Sequence, residues 1–401
     1  MADQIQLGSW RGAPAKTSRL AYIDWMRGLA CVVMFQAHCY SSWLNPQGKK
    51  SKFYEYSQVA ATLPAPLFIF LAGMSFALVT QRLWEKGSAP NAIAKTTILR
   101  GAEIYGLGLL FRVQEYALGH KWVPWTDLFR VDVLNILGLS MMLMGVFCWL
   151  MAFVSHARET QASGATDIEK FRSTTIFASL IAAALIALLT PLLWTTLRPR
   201  WLPWPLESYI NGVHIYDQPQ PWLFPLFPWS AFAFVGLAVG FFVFSDFTKK
   251  REVEVFAALG AVGALACGLS ILFDTASVRL YPVGLYDYWH TSPNFFLMRC
   301  GILLLILFLA YVWCRWGLAQ KGFSPMIQLG NTSLLVYWVH IEFVYGRFSI
   351  LPKGRCGILK ATLGFAAIFL AMLALSVLRT RWKKRPIKAL RPAPQVVTAG
   401  S

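Results

Sequence analysis

The sequence predicts an all-α fold, a polytopic bundle of about ten transmembrane helices. Three observations carry that expectation. Of 401 residues, 56% are hydrophobic and only 14% are charged, where a soluble domain carries about 25% charged residues. The mean hydropathy is +0.50. The apolar residues arrive in long blocks, and a block of about 20 is enough to cross the hydrocarbon core. The basic residues that make up the net charge of +18 flank those blocks. They do not form a basic face interleaved with aromatics, so anionic lipid headgroups, not nucleic acid, are the expected partner.

In chain order the expected spans are 22–44, 60–82, 97–118, 131–154, 174–197, 222–246, 253–273, 294–317, 327–348 and 358–379. The Pro- and Trp-rich stretch 198–230 leaves room for a re-entrant segment. No period of 20–50 residues repeats, which argues against a soluble array. Residues 1–20 are polar and lack the apolar stretch of a cleavable signal, so the first span is expected to act as an uncleaved anchor. The domain reading is a polar N-terminal segment (1–20), one multi-span membrane domain (21–380) and a basic tail (381–401). Short loops on the side of the termini hold roughly twice as many Lys and Arg as the opposite side, which places both termini in the cytoplasm of an inner membrane.

Seven cysteines are too scattered for a disulfide framework. Most, including Cys31, Cys148, Cys267, Cys300 and Cys314, lie inside apolar runs and read as small core residues. No CxxC occurs, and no metal site is expected. Gly236 and Gly240 form a GxxxG, a spacing that permits close helix approach. No Walker A loop, GxSxG elbow, HExxH or dinucleotide fingerprint is present. Acid–base transfer chemistry, transport or a scaffold role remain.

An ionisable residue inside a span costs roughly 2.5–3.5 kcal/mol on insertion scales. In the first span Asp24 and Arg27 lie three apart and can pair. His38 returns to the same helical stripe about 16 Å further along, with Cys31 between. In the third span Arg112 and Glu115 are again three apart, near the outer end. Arg130, Asp132 and Asn135 open the fourth, Arg299 lies just inside the eighth, and Asp274 closes the seventh. In the ninth, Ser333, Tyr337, His340 and Arg347 are expected on one face. The outer loops add His214, Asp217, Asp287 and His290 to their Trp and Tyr. The costly residues therefore gather in the outer half, and a polar cavity open to that side is expected. Asp24, Arg27 and Glu103 stay in the inner half, where they either staple the first span to the third or line a path for a cytoplasmic ligand.

The stretch RLAYIDWMRGLACVVMFQAH resembles the opening of the heparan-α-glucosaminide N-acetyltransferase-like (DUF1624-type) family of bacterial membrane proteins. Four further segments match in order: APLFIFLAGMSFAL (65–78), VDVLNILGLSMML (131–143), FPLFPWSAFAFVGLAVG (224–240) and LGNTSLLVYWVH (329–340). Asn135 stands where the third motif usually has Gln. The resemblance implies a membrane acyltransferase of the O- or N-type. It would take an acyl group, typically acetyl from acetyl-CoA, and pass it to a sugar or glycan acceptor on the outer face. No bound cofactor is implied, since the acyl-CoA is a co-substrate. The implied catalytic residue is a histidine late in the first span or in the loop after it. Loop 45–59 has none, which leaves His38.

On this reading His38 acts as general base or acyl acceptor, and His340 is the second candidate catalytic residue. Arg112, Asp132, Asn135, His290, Arg299, Tyr337 and Arg347 are the candidate substrate-binding set. Asp24, Arg27 and Glu103 form the structural or donor-path set. The alternatives are a transporter for a small solute or acyl group, and a non-catalytic partner in the cell envelope. Transporters often carry inverted repeats, and no clear repeat is visible here.

Overall fold

A computed structural model describes residues 20–119, 124–157, 164–212, 224–275, 281–317 (apart from 283 and 286) and 322–384. The fold is all-α, without strands among the described residues. The helices are α1 (Ala21–Trp43), α2 (Pro46–Lys49), α3 (Lys52–Ala61), α4 (Pro64–Glu85), α5 (Pro90–Gly119), α6 (Val133–Ala157), α7 (Gly164–Trp194), α8 (Trp204–Asn211), α9 (Leu226–Val243), α10 (Asp246–Lys250), α11 (Glu252–Thr275), α12 (Pro293–Trp316), α13 (Pro325–Asn331), α14 (Ser333–Val344) and α15 (Ile358–Lys384). The N-terminal segment, nearly all of the basic tail, His214 and Asp217 lie outside the described residues.

Seven helices among the described residues are long and apolar enough to cross a membrane. They are α4 (continuous with α3), α6, α7, α9, α11, α12 and α15. The other three expected segments hold helices that fall short of that test. The reason is visible in their sequences. Helix α1 carries Asp24, Arg27, Gln36 and His38, and α5 carries Arg100, Glu103, Arg112 and Glu115. The ninth segment is broken between α13 and α14. The chain is thus an integral membrane protein by its apolar helices, with its polar residues concentrated in the helices that build the site.

Close approach between helices depends on glycine. The GxxxG of α9 packs on α4, where a Cβ on Gly236 would stand 2.0 Å from the Phe70 carbonyl oxygen. Helix α13 meets α1 as closely. A Cβ on Gly28 would stand 1.9 Å from the Met326 oxygen, and one on Gly330 would stand 1.8 Å from the Asp24 oxygen. These two pairs run in opposite order along the two helices. The pairs between α1 and α14, His38 with His340 and Ser42 with Val344, run in the same order. The ninth segment therefore changes direction beside α1 at Thr332, where α13 ends and α14 begins. Helix α15 holds this turn: Ser376 Oγ donates to the Gln328 carbonyl at 2.8 Å and bonds Thr332 Oγ1 at 2.6 Å. A continuous helix over 327–348 was expected, and these tertiary contacts interrupt it.

Gly330→Ala should be among the more damaging single-methyl changes in the chain. The added carbon has nowhere to go except into the α1 backbone, and overpacking of this kind costs about 1–3 kcal/mol. The expected result is a melting temperature in detergent lowered by several degrees. The same substitution at Gly106, where a Cβ meets nothing within 4 Å, should leave it unchanged.

Candidate active site

Helices α1 and α14 bring His38 and His340 together. His38 Nδ1 and His340 Nε2 are 2.9 Å apart. The ring planes differ by 7° and the centroids are 5.1 Å apart. That separation is what two rings in line through a nitrogen–nitrogen hydrogen bond give, so the imidazoles lie end to end and are not stacked. His340 is fully buried and His38 is partly exposed. Phe35 packs against the His340 ring with centroids 4.7 Å apart, and the edge of Tyr345 meets the His38 ring at 5.2 Å.

The hydrogen-bond partners fix the tautomers of the neutral pair. His340 Nδ1 lies 2.9 Å from the Val336 carbonyl oxygen, which can only accept. The proton of neutral His340 is therefore on Nδ1, and its Nε2 is a bare acceptor. His38 must then donate from Nδ1 to bridge the pair. That leaves the lone pair of His38 on Nε2, with the ring oriented by a chain that ends on a helix carbonyl.

A second network lies one helical turn away. Asp132 stands at the N-terminus of α6. Its Oδ1 accepts from the Val133 amide at 2.7 Å, and Asn135 Oδ1 accepts in return from the Asp132 amide at 3.1 Å. This is one half of a capping box, in which the side chain at the third helical position reaches back to the cap amide, while the cap side chain takes the first helical amide instead of the third. Asn135 is fully buried; the bond satisfies its Oδ1, while its Nδ2 has no hydrogen-bond partner. Asp132 Oδ2 accepts from Arg112 Nη1 at 3.0 Å, with side chains 8% and 15% exposed for Arg112 and Asp132. The Tyr337 hydroxyl donates to Asp132 Oδ1 over a long 3.4 Å, and the Tyr337 ring meets His340 edge-on with centroids 6.0 Å apart.

Arg112 thus pairs with Asp132 across the bundle, not with Glu115 on its own helix as its spacing suggested. The face of α5 that holds Gln114 and Glu115 turns to α14. Gln114 Nε2 donates to Glu342 Oε1 at 2.6 Å, and Trp338 Nε1 donates to Gln114 Oε1 at 2.9 Å. This bridge was not foreseen, although the four-residue spacing of Trp338 and Glu342 marks a second polar face on α14.

A cavity of about 710 Å³ runs lengthwise between α4, α5, α6 and α14. Its walls are mostly apolar, from Phe68 and Val133 down to Val79 and Thr96, and Leu137 and Met141 face it from α6. Arg27, Arg100 and Glu103 also line it, and Ser333 and Tyr337 line it from α14. Tyr337 therefore touches both the cavity and the histidine pair. Arg27 pairs with Asp24 at 3.1 Å and donates to Ser75 Oγ of α4 at 2.6 Å, whereas Glu103 pairs within its own helix, with Arg100 at 2.6 Å. Arg27 thus ties the first span to the second. Of the three inner residues, Arg27 and Glu103 line the cavity.

Three expected members of the outer cluster stand elsewhere. Arg299 is buried under an aromatic lid. Its guanidinium lies 4.0 Å from the Phe295 ring centroid and 5.5 Å from that of Trp229, and it donates to the Trp289 carbonyl at 3.1 Å. His290 bonds Asp287 within its own turn, and Asp287 also accepts from the Trp289 amide at 2.9 Å. Arg347 lies beyond the end of α14 and is exposed, so it shares no helix face with Tyr337 and His340. Among the described residues no group of three or more His, Cys, Asp or Glu is arranged to hold a metal.

Residues 19–160 match the family described as heparan-alpha-glucosaminide N-acetyltransferase, catalytic. The matched stretch contains His38, Arg112, Asp132, Asn135 and most of the cavity wall, while Tyr337 and His340 lie beyond it. No curated protein matches the chain. Over residues 19–160, little more than a third of its length, the chain is similar to the heparan-α-glucosaminide N-acetyltransferase family.

Proposed function

We propose that the protein is a membrane acetyltransferase that takes acetyl from acetyl-CoA and passes it to a hydroxyl or amine of a sugar or glycan, with His38 Nε2 as the reacting base or acyl acceptor. The observation that carries this reading is the chain from the Val336 carbonyl through His340 to His38, which leaves one oriented imidazole lone pair. Tyr337 links it to a cavity of about 710 Å³, and residues 19–160 are similar to the catalytic part of an acetyltransferase family. The mostly apolar walls suit the pantetheine arm of the donor, and Arg27 and Arg100 in the lining, now paired with Asp24 and Glu103, suit phosphates. The Lys and Arg count supports a cytoplasmic position for both termini and for the start of α1 that carries Arg27.

Two routes use the same lone pair. As a base, His38 Nε2 takes the proton of the acceptor O–H or N–H while that atom attacks the thioester carbonyl and the C–S bond breaks. As an acyl acceptor, Nε2 itself attacks, the CoA thiolate leaves, and the acceptor later removes the acetyl from the ring. In either case His38 becomes cationic. Its Nδ1–H then donates more strongly to His340, and the Asp132 carboxylate nearby offsets the new charge. Arg112 holds Asp132, Asn135 caps it, and Tyr337 links it to the pair. Arg299, His290 and Arg347 have no part in this reading.

The test is transfer of radiolabel from acetyl-CoA in proteoliposomes, followed into protein and glycan fractions. The expected result is label in the acceptor that depends on His38. Label that crosses the membrane unreacted would support a transporter instead. Leu137→Trp, which fills the cavity without touching the histidines, should raise the KM for acetyl-CoA or abolish its use while the melting temperature holds. An unchanged KM would remove the cavity from the donor path.

A further inference from the structure

A second, smaller cavity of about 240 Å³ lies at the other side of the α4–α9 pair, where Leu20 and Tyr22 at the start of α1, the last turns of α4 and α9, and the start of α11 converge. Span ends place it at the level of lipid headgroups, on the side where α1 begins. Its floor is apolar, from Leu78, Val243, Phe244 and Phe256. Its rim holds charges of both signs: Arg82 and Lys249, Glu85 and Glu252.

Gln81 lines this cleft and is only 7% exposed, and its Oε1 has no hydrogen-bond partner. The amide orientation is fixed by its other end. Nε2 donates to Glu85 Oε1 at 2.8 Å and to the Phe244 carbonyl at 3.1 Å, and both of those atoms are acceptors. The NH2 group must face them, so the buried atom without a partner is the carbonyl oxygen. A buried acceptor of this kind calls for a donor. Glu85 keeps one oxygen outside that bond, and Glu252 pairs with Arg315 on the surface, both about half exposed (40% and 47%).

The geometry points to a binding site for a phospholipid with a primary-amine headgroup, an ethanolamine phosphate. The ammonium donates to Gln81 Oε1 with Glu85 and Glu252 around it. The phosphate meets Arg82 at the rim, beside Lys249, which also pairs with Asp246 at 2.7 Å. The acyl chains lie on Leu78, Val243 and Phe244. An anionic glycerol headgroup has hydroxyls to donate but brings no positive charge to the two carboxylates, and a quaternary ammonium has no N–H to give.

The experiment uses the full-length protein in detergent with dioleoyl lipids added back, read by native mass spectrometry and melting temperature. Phosphatidylethanolamine should be retained about tenfold more than phosphatidylcholine, the effect of one charge-assisted hydrogen bond. Retention should fall stepwise through the mono- and dimethylated lipids, a series that needs no variant. Gln81→Met should erase the preference and leave phosphatidylcholine retention unchanged. Arg82→Ala should weaken both lipids alike. Equal retention of ethanolamine and choline lipids, or phosphatidylglycerol held as well as either, overturns the proposal. So does a preference that survives unchanged in a folded Gln81→Met protein.

Discussion

His38→Ala should lower acetyl transfer between about a hundredfold and about ten-thousandfold, the range over which a positioned acid–base group acts. The fold should persist, because His38 is partly exposed and donates only to His340. The informative comparison is His340. His340→Phe puts a somewhat larger aromatic ring at the buried site and removes the acceptor, so His38 loses the bond that holds its proton on Nδ1. The expected result is a kcat lower by one to two orders of magnitude, a KM for acetyl-CoA near that of the unaltered protein, and a smaller loss than His38→Ala gives. His340→Gln supplies a carbonyl oxygen that can accept from His38 Nδ1, and it should restore part of the rate. Rapid-quench measurement separates the two routes: acid-labile label on the protein before the acceptor is added marks an acyl-histidine, and its absence marks general-base catalysis. A His340→Phe protein as active as the original would show that the hydrogen-bond chain has no part in the chemistry.

The helices were legible because hydrophobic blocks of span length and the basic residues between them follow directly from the cost of polar backbone and charge in hydrocarbon. The site was legible in one dimension only. Helical rise converts sequence position into depth, so His38, His340, Arg112 and Arg299 were all expected in one half of the membrane. Depth does not say which neighbour a face meets. Arg299 and Arg112 share a level, but one lies between Phe295 and Trp229 and the other pairs with Asp132. The His38–His340 contact joins residues 302 apart, and only the packing of α14 on α1 creates it. Arg112 illustrates the same limit locally. Glu115 has the helical spacing of a partner, yet the carboxylate that wins belongs to a helix cap whose position depends on how α5 and α6 pack. Arg347 was misplaced for another reason. Its spacing extends the His340 face only if α14 continues, and the helix ends at Val344.

Asp132→Asn should be the most destabilising polar change in the site. The variant keeps a carbonyl oxygen able to cap α6 and accept from Tyr337, but it strands the Arg112 charge, whose side chain is 8% exposed. Removing one partner of a buried ion pair costs about 3–5 kcal/mol, a large part of the roughly 5–15 kcal/mol that holds a folded domain. Arg112→Met should cost a similar amount by stranding Asp132. The double variant Arg112→Met with Asp132→Asn leaves no charge uncompensated, and its melting temperature should return to within a few degrees of the original. Stability and chemistry then come apart. If the Asp132 carboxylate offsets the cation that forms on His38, the restored double variant remains slow, with kcat lowered and KM little changed. If Asp132 serves only to bind the α5 and α6 helices, activity returns together with the melting temperature. A stable, fully active double variant would confine Asp132 and Arg112 to the scaffold, and the histidine pair would have to stabilise its own charge.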